Sequence, residues 1–280
     1  MEVYDFMALL ENGQKKDRKT VIAIGVFDGV HKGHQAVFRN LADEKGRLGA
    51  EESMVISFSR NPKSSASGSL DTLRLREEYV SSFSIDSFVI IDFSDAFSRI
   101  SADGFLRMLM RICRPVAVVV GSDFRLGNPS CSATAYDLHS MFLADGADVR
   151  VSIVEPILTE GGEKISSTLL RTIIRLGKLK EFRELSGQCY RVDLVPIPYR
   201  FISGDLVFSS NLIHQLLPPL GAYEAMLVLC DGTVIDGTVK ITDCNLVFSS
   251  LSADFASIIQ DHDSLEEKLQ LDSIFLGVTG

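Results

Sequence analysis

The sequence predicts an α/β fold in which a doubly wound parallel sheet is followed by a small antiparallel β-barrel-like domain. Apolar, β-branched runs alternate with helical stretches over the first two thirds of the chain, which is typical of a parallel sheet covered by helices. Beyond residue 186, short apolar segments are broken by Pro and by Asp-Gly pairs, which is typical of hairpins. A chain of 280 residues is long enough for two domains, and we expect them at 1–186 and 187–280.

The first strand is predicted at 20–27 and the helix after it from His34 to Gly46. Residues 20–27 are almost all apolar and many are β-branched, as in a strand buried on both faces of a sheet. From His34 onward apolar residues recur on one helical face, and Gly46 suits the residue after a helix end. The same reasoning predicts strands at 54–58, 87–91, 116–120 and 149–154, and helices at 74–83, 101–113, 133–145, 167–176 and 178–186.

Four further segments are predicted from their turn-forming or charged residues. Residues 59–71 are rich in Ser and have no apolar period, which predicts a loop. The pairs Asp231-Gly232 and Asp236-Gly237 predict hairpin turns in the second domain. An acidic stretch over about 264–271 predicts a last helix.

The net charge of -9 is distributed unevenly along the chain. Residues 1–186 hold 24 Lys and Arg against 25 Asp and Glu, whereas 187–280 hold 4 against 12. No basic stripe is present, so we expect no nucleic-acid partner, because duplex binding depends on many Lys and Arg contacts to phosphates. The N-terminus has no basic segment ahead of an apolar one, and no apolar run reaches the length of a membrane span. We therefore expect a cytoplasmic protein without a membrane partner.

The cysteines give no sign of a metal site or of disulfide bonds. There are five of them, an odd number, and they show no CxxC or Cys/His ligand spacing. We therefore expect neither a structural metal nor a disulfide framework.

The most informative motif is GVFDGVHKGH at 25–34, where the first predicted strand gives way to a helix. Helix N-termini beside strand ends offer free backbone N–H groups and a favourable dipole to phosphate. His31 and His34 are three residues apart, so both imidazoles can donate to one ligand as charge builds up on a transferring phosphoryl group. The competing interpretations are an ordinary helix cap with a surface histidine, or a chance metal-binding pair. The residues that we assign to ATP binding in this motif are Gly25, Phe27, Asp28, Gly29, Lys32 and Gly33.

A second motif, KISSTLLR at 164–171, precedes and opens a predicted helix. Ser166 or Ser167 can cap this helix, and Arg171 falls about one turn into it. Together with Thr168 these groups suit the β- and γ-phosphates of a nucleotide, which Arg171 can bind bidentately. Taken alone, the segment is equally an ordinary cap.

A third motif, GSDFRLG at 121–127, leaves the predicted strand 116–120 at the same edge of the sheet. Asp123, Phe124 and Arg125 are placed to form a wall of the acceptor pocket. The alternative is a tight loop with one exposed arginine.

In this order and spacing, the three motifs make residues 20–186 resemble the FMN adenylyltransferase module of bacterial FAD synthetases, within the Rossmann-like HxGH nucleotidyltransferases. GVFDGVHKGH and the ISSTxxR pattern at 165–171 both match those of the family. The resemblance implies that the phosphate of FMN attacks the α-phosphorus of Mg-ATP, forming FAD and releasing pyrophosphate. His31, His34 and Arg171 would be the catalytic residues, with Mg²⁺ entering alongside ATP.

The chain departs from this family in two places. Where the family has Pro-His-Pro after the second strand, this sequence has Arg60-Asn61-Pro62, and we assign Asn61 to FMN binding. The riboflavin kinase signature Phe-Pro-Thr-Ala-Asn is replaced by Val-Phe-Ser-Ser-Asn at 207–211. We therefore expect 187–280 to be a degenerate kinase-like domain without riboflavin kinase activity.

Two other functions remain open at this point. HxGH chemistry alone does not choose the acceptor, so adenylyl or cytidylyl transfer to another phosphorylated acceptor is a close rival. A non-catalytic flavin or nucleotide binder belongs to a different class, and the presence of both His31 and His34 argues against it.

Overall fold

The computed structural model describes residues 1–13, 15, 17–59, 68–128, 132–252, 255 and 271–278, and these form two compact units. The first comprises Met1–Ser65 and Leu73–Ile165, and the second comprises Ala66–Thr72 and Ser166–Gly280. The division at 165/166 differs from the expected boundary at 186/187. The helices between these positions count with the second unit because their apolar side chains lie in its core, as Leu170, Ile173, Ile174, Leu179 and Phe182 do.

The first unit is an α/β unit. Its strands are β1 (Glu2–Asp5), β2 (Lys19–Ile24), β3 (Glu52–Phe58), β4 (Ser87–Ile91), β5 (Arg114–Gly121), β6 (Arg125–Leu126), β7 (Ala133–Thr134) and β8 (Arg150–Val154). Its helices are α1 (Phe6–Asn12), α2 (Lys32–Leu48), α3 (Leu73–Ser81), α4 (Asp95–Ser98), α5 (Ala102–Ile112) and α6 (Leu138–Ala144). All strands except the short β6–β7 pair form one six-stranded parallel sheet.

The order of that sheet, β1-β4-β3-β2-β5-β8, confirms the predicted doubly wound topology. From β2 the chain proceeds through β3 to β4 on one side, then returns to β5 on the other side of β2. The connections after β2 and β5 therefore diverge, and the crevice between them is a topological switch point, where open α/β sheets bind ligands. The GVFDGVHKGH and GSDFRLG motifs follow these two strands.

Several boundaries in the first unit differ from their predicted positions. β2 ends at Ile24, and α2 begins at Lys32 because the side chain of His31 caps it. The helix continues through Gly46 to Leu48 and ends at Gly49, whose φ of 58° lies in the left-handed region. The start of the predicted 133–145 helix is the strand β7, and α6 begins only at 138.

The described part of the second unit contains the helices α7 (Ser167–Arg175) and α8 (Leu179–Ser186) and an antiparallel sheet. A 3₁₀ turn covers Ser210–Leu212. The strands are β9 (Tyr190–Asp193), β10 (Tyr199–Ile202), β11 (Asp205–Ser209), β12 (Gly221–Leu229), β13 (Val234–Ile241), β14 (Asn245–Ser250) and β15 (Leu271–Leu276). They form a curled, half-barrel sheet in the order β10-β11-β14-β13-β12-β15-β9, which confirms the predicted small antiparallel β-barrel-like domain.

One of the two hairpin turns predicted for this unit is wrong. Asp231-Gly232 lies in the turn between β12 and β13, as predicted. Asp236-Gly237 instead lies within β13, where a Cβ on Gly237 would be 2.4 Å from the carbonyl oxygen of Ser249. Glycine is present there because β14 approaches closely. Of the predicted 264–271 helix, residues 264–270 lie outside the described residues, and Leu271 begins β15.

Candidate active site

Two stacked imidazoles mark the N-terminus of α2. The ring centroids of His31 and His34 are 3.7 Å apart and the ring planes make an angle of 22°. His31 is the N-cap, and its Nδ1 accepts the backbone N–H of His34 at 3.4 Å. Because Nδ1 is the acceptor, a neutral His31 carries its proton on Nε2 and presents that N–H as a donor.

Both imidazoles are held in the neutral form. Burial lowers the pKa of His31 to about 4, with the positive charge of Lys164 adding to the effect and Asp123 opposing it. Burial, followed by the neighbouring His31, Arg76 and Lys164, holds the pKa of His34 well below its usual range. Part of the His34 residue surface is exposed, yet its Nδ1 is buried and has no hydrogen-bond partner among the described residues. A ligand atom at this nitrogen would remove the cost of leaving it unsatisfied.

The glycine-rich loop after β2 packs an aromatic ring against His34. Phe27 is buried with a φ of 52°, and its ring contacts that of His34 edge-on at a centroid distance of 5.3 Å. A Cβ on Gly25 would lie 2.8 Å from the Phe27 ring, so glycine is needed to accommodate that ring. Asp28 is fully buried, Gly29 has a φ of 82° and Lys32 is exposed.

Within the first unit, the GVFDGVHKGH and GSDFRLG motifs lie close to the first residues of the KISSTLLR motif. Lys164 forms an ion pair with Asp123, and its charge acts on both imidazoles. A Cβ on Gly33 would lie 3.8 Å from the carbonyl oxygen of Ile165, which directly precedes the N-cap residue of α7. The loop after β5, the histidine pair and the start of KISSTLLR are therefore neighbours.

The two other residues of the GSDFRLG motif are placed differently from Asp123. Phe124 packs against the apolar core of the first unit and is only partly buried. Arg125 is exposed in the β6–β7 hairpin, where it pairs with Thr134. The structure therefore brings Asp123 to the electrostatic surroundings of the histidines, but gives no such contact for Phe124 or Arg125.

The rest of the second motif lies in the second unit. Ser166 is the N-cap of α7, and its hydroxyl accepts the N–H of Leu169 at 3.2 Å. Ser167 and Thr168 are the first two helical residues. Arg171 is buried, and its Nε donates to the carbonyl of Gly68 at 3.3 Å.

The sequence reasoning missed two basic residues around the histidines. Arg76 in α3 is only 2% exposed; its Nη1 donates to the carbonyl of Phe58 at 2.7 Å and to the Ser57 hydroxyl at 3.2 Å. An arginine in an amphipathic helix is normally solvated, so the sequence held no signal for it. Lys164 did have a signal, because it opens the KISSTLLR motif. Asn61, assigned to FMN binding, lies outside the described residues.

The described part of the chain shows neither a cluster of metal ligands nor a membrane-spanning helix. It contains no group of three or more His, Cys, Asp or Glu side chains that could hold a metal ion. None of its helices is both long enough and apolar enough to cross a membrane.

Known proteins resemble this chain in sequence and in fold. The family model for FAD synthetase matches residues 13–169. A bifunctional riboflavin kinase/FMN adenylyltransferase of Listeria monocytogenes is 31% identical over 217 residues, which are 74% of this chain and 67% of that protein. The protein of the same description from Escherichia coli (strain K12) is 29% identical over 178 residues, 61% of this chain and 55% of that protein.

A solved structure described as a macrolide-efflux protein from Streptococcus pneumoniae has the same fold. It superposes with a TM-score of 0.73 over 92% of both chains, at 21% sequence identity. At that identity the likeness concerns the fold alone.

Proposed function

The chain belongs to the FAD synthetase family, and we propose that it is an FMN adenylyltransferase, which forms FAD and pyrophosphate from FMN and Mg-ATP. The observation that carries the proposal is the stacked, neutral His31–His34 pair at the N-terminus of α2, beside the switch point of the sheet. An HxGH pair on a solvated surface would keep ordinary pKa values and would offer no pre-formed donors.

The chemistry is an in-line displacement at the α-phosphorus of ATP. A phosphate oxygen of FMN forms the new bond while the bond from the α-phosphorus to the bridging oxygen breaks, and pyrophosphate leaves with that oxygen. Charge develops on the equatorial oxygens, where preorganised donors have the largest effect. His31 supplies Nε2–H, and the N-terminus of α2 adds its dipole and free N–H groups. The histidines act as donors, so no covalent intermediate is required.

The remaining assignments of the ATP site follow the two phosphate-binding motifs. Gly25, Gly29 and Gly33 let the backbone approach ATP, and Phe27 supports His34. Asp28 of the loop and Lys32 at the start of α2 complete the first motif. Lys164, already close enough to act on both imidazoles, adds positive charge there. Ser166, Ser167, Thr168 and Arg171 hold the β- and γ-phosphates. Mg²⁺ enters as Mg-ATP, whose phosphate oxygens are its natural ligands.

The acceptor side of the site is assigned to the loops that follow β3 and β5. Asp123, Phe124 and Arg125 form the wall after β5, and Asn61 contributes from the loop after β3. Asp123 is the best supported of these four, because it pairs with Lys164 beside the histidines. Asn61 can donate a hydrogen bond but cannot carry the charge or proton of the usual histidine.

We propose that the C-terminal part, 187–280, has no riboflavin kinase activity. Phosphoryl transfer needs a metal–phosphate cradle and a group that orients the attacking hydroxyl. In the segment 207–211, which replaces the kinase signature, Phe208 is fully buried in the core, and the Ser210 hydroxyl donates to the carbonyl of Asp243 at 3.2 Å. The excess of acidic residues in this part also disfavours a second ATP.

An acceptor comparison tests this function. Purified protein is incubated with Mg-ATP and either FMN, nicotinamide mononucleotide or phosphopantetheine, and the products are separated by chromatography. We expect FAD from FMN and no adenylylated product from the other two. Adenylylation of another acceptor without FAD would support the rival transferase, and no product from any acceptor would support the non-catalytic binder.

A further inference from the structure

Residues 68–72, here called the strap, follow β3 and precede α3 in the chain but belong to the second unit. The N–H of Leu216 donates to the Ser69 carbonyl at 2.9 Å, and the Gln215 amide donates to the Leu70 carbonyl at 2.7 Å. The Leu70 side chain is fully buried in the core of that unit. The strap is therefore an integral piece of the second unit, although in the chain it lies between β3 and α3 of the first unit.

Gln215 is the residue that ties the strap to the sheet. Its side-chain oxygen accepts the N–H of Asp193 at 2.6 Å, and its nitrogen donates to the carbonyls of Leu70 and Arg191, the latter at 2.9 Å. Gln215 is only 5% exposed, so these are buried bonds whose loss leaves buried backbone groups unsatisfied. The hydroxyl of Thr72 also donates to the Asp193 carboxylate.

One end of the strap contacts an arginine that the sequence assigns to ATP. The Nε of Arg171 donates to the Gly68 carbonyl at 3.3 Å. A guanidinium is planar and rigid, so a bond at Nε fixes the plane in which the two terminal nitrogens lie. Leu170 and Ile174 of α7 are fully buried in the same core as Leu70, so the helix itself is fixed by packing.

The backbone at Gly68 requires glycine for two separate reasons. Its φ of +70° lies in the left-handed region, where other residues are strained. A Cβ there would also lie 3.1 Å from the backbone nitrogen of Leu216 and 3.2 Å from its Cα. Any side chain at this position would therefore push the strap away from Leu216 and move the carbonyl that Arg171 contacts.

We propose that the strap is a positioning element for Arg171: the Gly68 carbonyl orients the guanidinium toward the β- and γ-phosphates of ATP, and Gln215 holds the strap in place for this role. The proposal rests on the proposed function, in which Arg171 binds the ATP tail. Gly68 and Gln215 act through Arg171 and are positioning residues.

The test compares substitutions at two glycines that both have a left-handed backbone conformation. Gly68→Ala is the strap variant, and Gly232→Ala is its control, since Gly232 has a φ of +88° and no heavy atom within 4 Å of an added Cβ. Calorimetry with Mg-ATP and steady-state assays are run on both. We expect Gly68→Ala to raise the Kd for Mg-ATP and the KM for ATP by about fivefold or more, with kcat and the KM for FMN within about twofold. Gly232→Ala should leave nucleotide affinity unchanged, and equal affinities for the two variants would overturn the proposal.

A second pair of variants tests the strap proposal if Gly68→Ala does not fold. Gln215→Leu releases the strap without altering Gly68, and Gln188→Leu is its control, because the backbone N–H and carbonyl of Gln188 bond to the Ser186 hydroxyl. We expect weaker Mg-ATP binding for Gln215→Leu alone.

Arg171→Lys keeps the positive charge but loses the planar, bidentate guanidinium. This variant distinguishes failure of the strap proposal from failure of the assignment of Arg171 to ATP. We expect it to weaken Mg-ATP binding as well. If it does so while neither strap variant does, the strap proposal is wrong and the ATP assignment stands. If all three variants bind Mg-ATP like the wild type, the assignment of Arg171 to the ATP tail fails and the strap proposal fails with it.

Discussion

Acidification is expected to destabilise the first unit through His31, and His31→Asn should remove this dependence. The pKa of His31 is about 4 in the folded protein and 6.5 in its ordinary state. Between these values the unfolded chain binds a proton that the folded chain does not, so the free energy of unfolding falls as the pH falls from about 6.5 to about 4. At lower pH both states are protonated and His31 contributes no further change.

The size of the effect follows from the same two values. One pKa unit corresponds to about 1.4 kcal/mol, so His31 accounts for a loss of roughly 3 kcal/mol of unfolding free energy across this pH window. Asn is a good N-cap residue, so the variant keeps an acceptor for the N–H of His34 while it removes the titrating ring. The contribution of His34 has the same sign and is present in both proteins.

The assay is urea unfolding at a series of pH values, with hydrogen exchange of the β2 segment reporting on the first unit. Wild type should lose roughly 3 kcal/mol more than His31→Asn between about pH 6.5 and pH 4. A control variant, His214→Asn, removes an exposed histidine of the second unit and should follow the wild type. Parallel curves for wild type and His31→Asn would refute the buried, neutral state of His31.

Three further predictions concern catalysis and packing. His34→Ala should lower kcat by about 10²-fold without unfolding the protein. The control His139→Ala, on α6, should leave kcat unchanged. Equal turnover in both variants would show that His34 has only a structural role. Gly25→Ala should cost about 1–3 kcal/mol of unfolding free energy and lower kcat, because the added methyl displaces Phe27, while Gly46→Ala in the exposed part of α2 should stabilise slightly. With riboflavin and Mg-ATP alone, we expect neither FMN nor FAD on product analysis, and steady FMN accumulation would contradict the loss of the kinase.

The elements that the sequence predicts well are those whose side chains pack on both faces. β2 and β5 are continuous apolar runs because helices or neighbouring strands cover them, so their pattern is visible without a structure. β1 was missed because three of its four residues are exposed and only pairing with β4 makes it a strand. Gly46 was misassigned as a helix end because its exposed position tolerates any residue, and the left-handed conformation falls at Gly49 instead.

Some features of the candidate site follow from the local sequence, and others depend on contacts between distant parts of the chain. The neighbourhood of His31 and His34 follows from their spacing and from the strand before them, so it was predictable. The charge of Arg76 on the pair was not, because Arg76 acts on the histidines only through the fold, whereas Lys164 had a signal as the first residue of the KISSTLLR motif. The contact between Gly68 and Arg171 joins residues 103 positions apart, and no local pattern could have indicated it.

The central claim is adenylyl transfer to FMN, and the most direct measurement follows the α-phosphorus of ATP. The protein is incubated with FMN, Mg²⁺ and ATP labelled at the α-phosphorus, and flavins and phosphates are separated. We predict that the label appears in FAD, one per flavin, with pyrophosphate released in equal amount. Label that stays in ATP, or that appears in an adenylylated product other than FAD when another acceptor is supplied, would contradict the account.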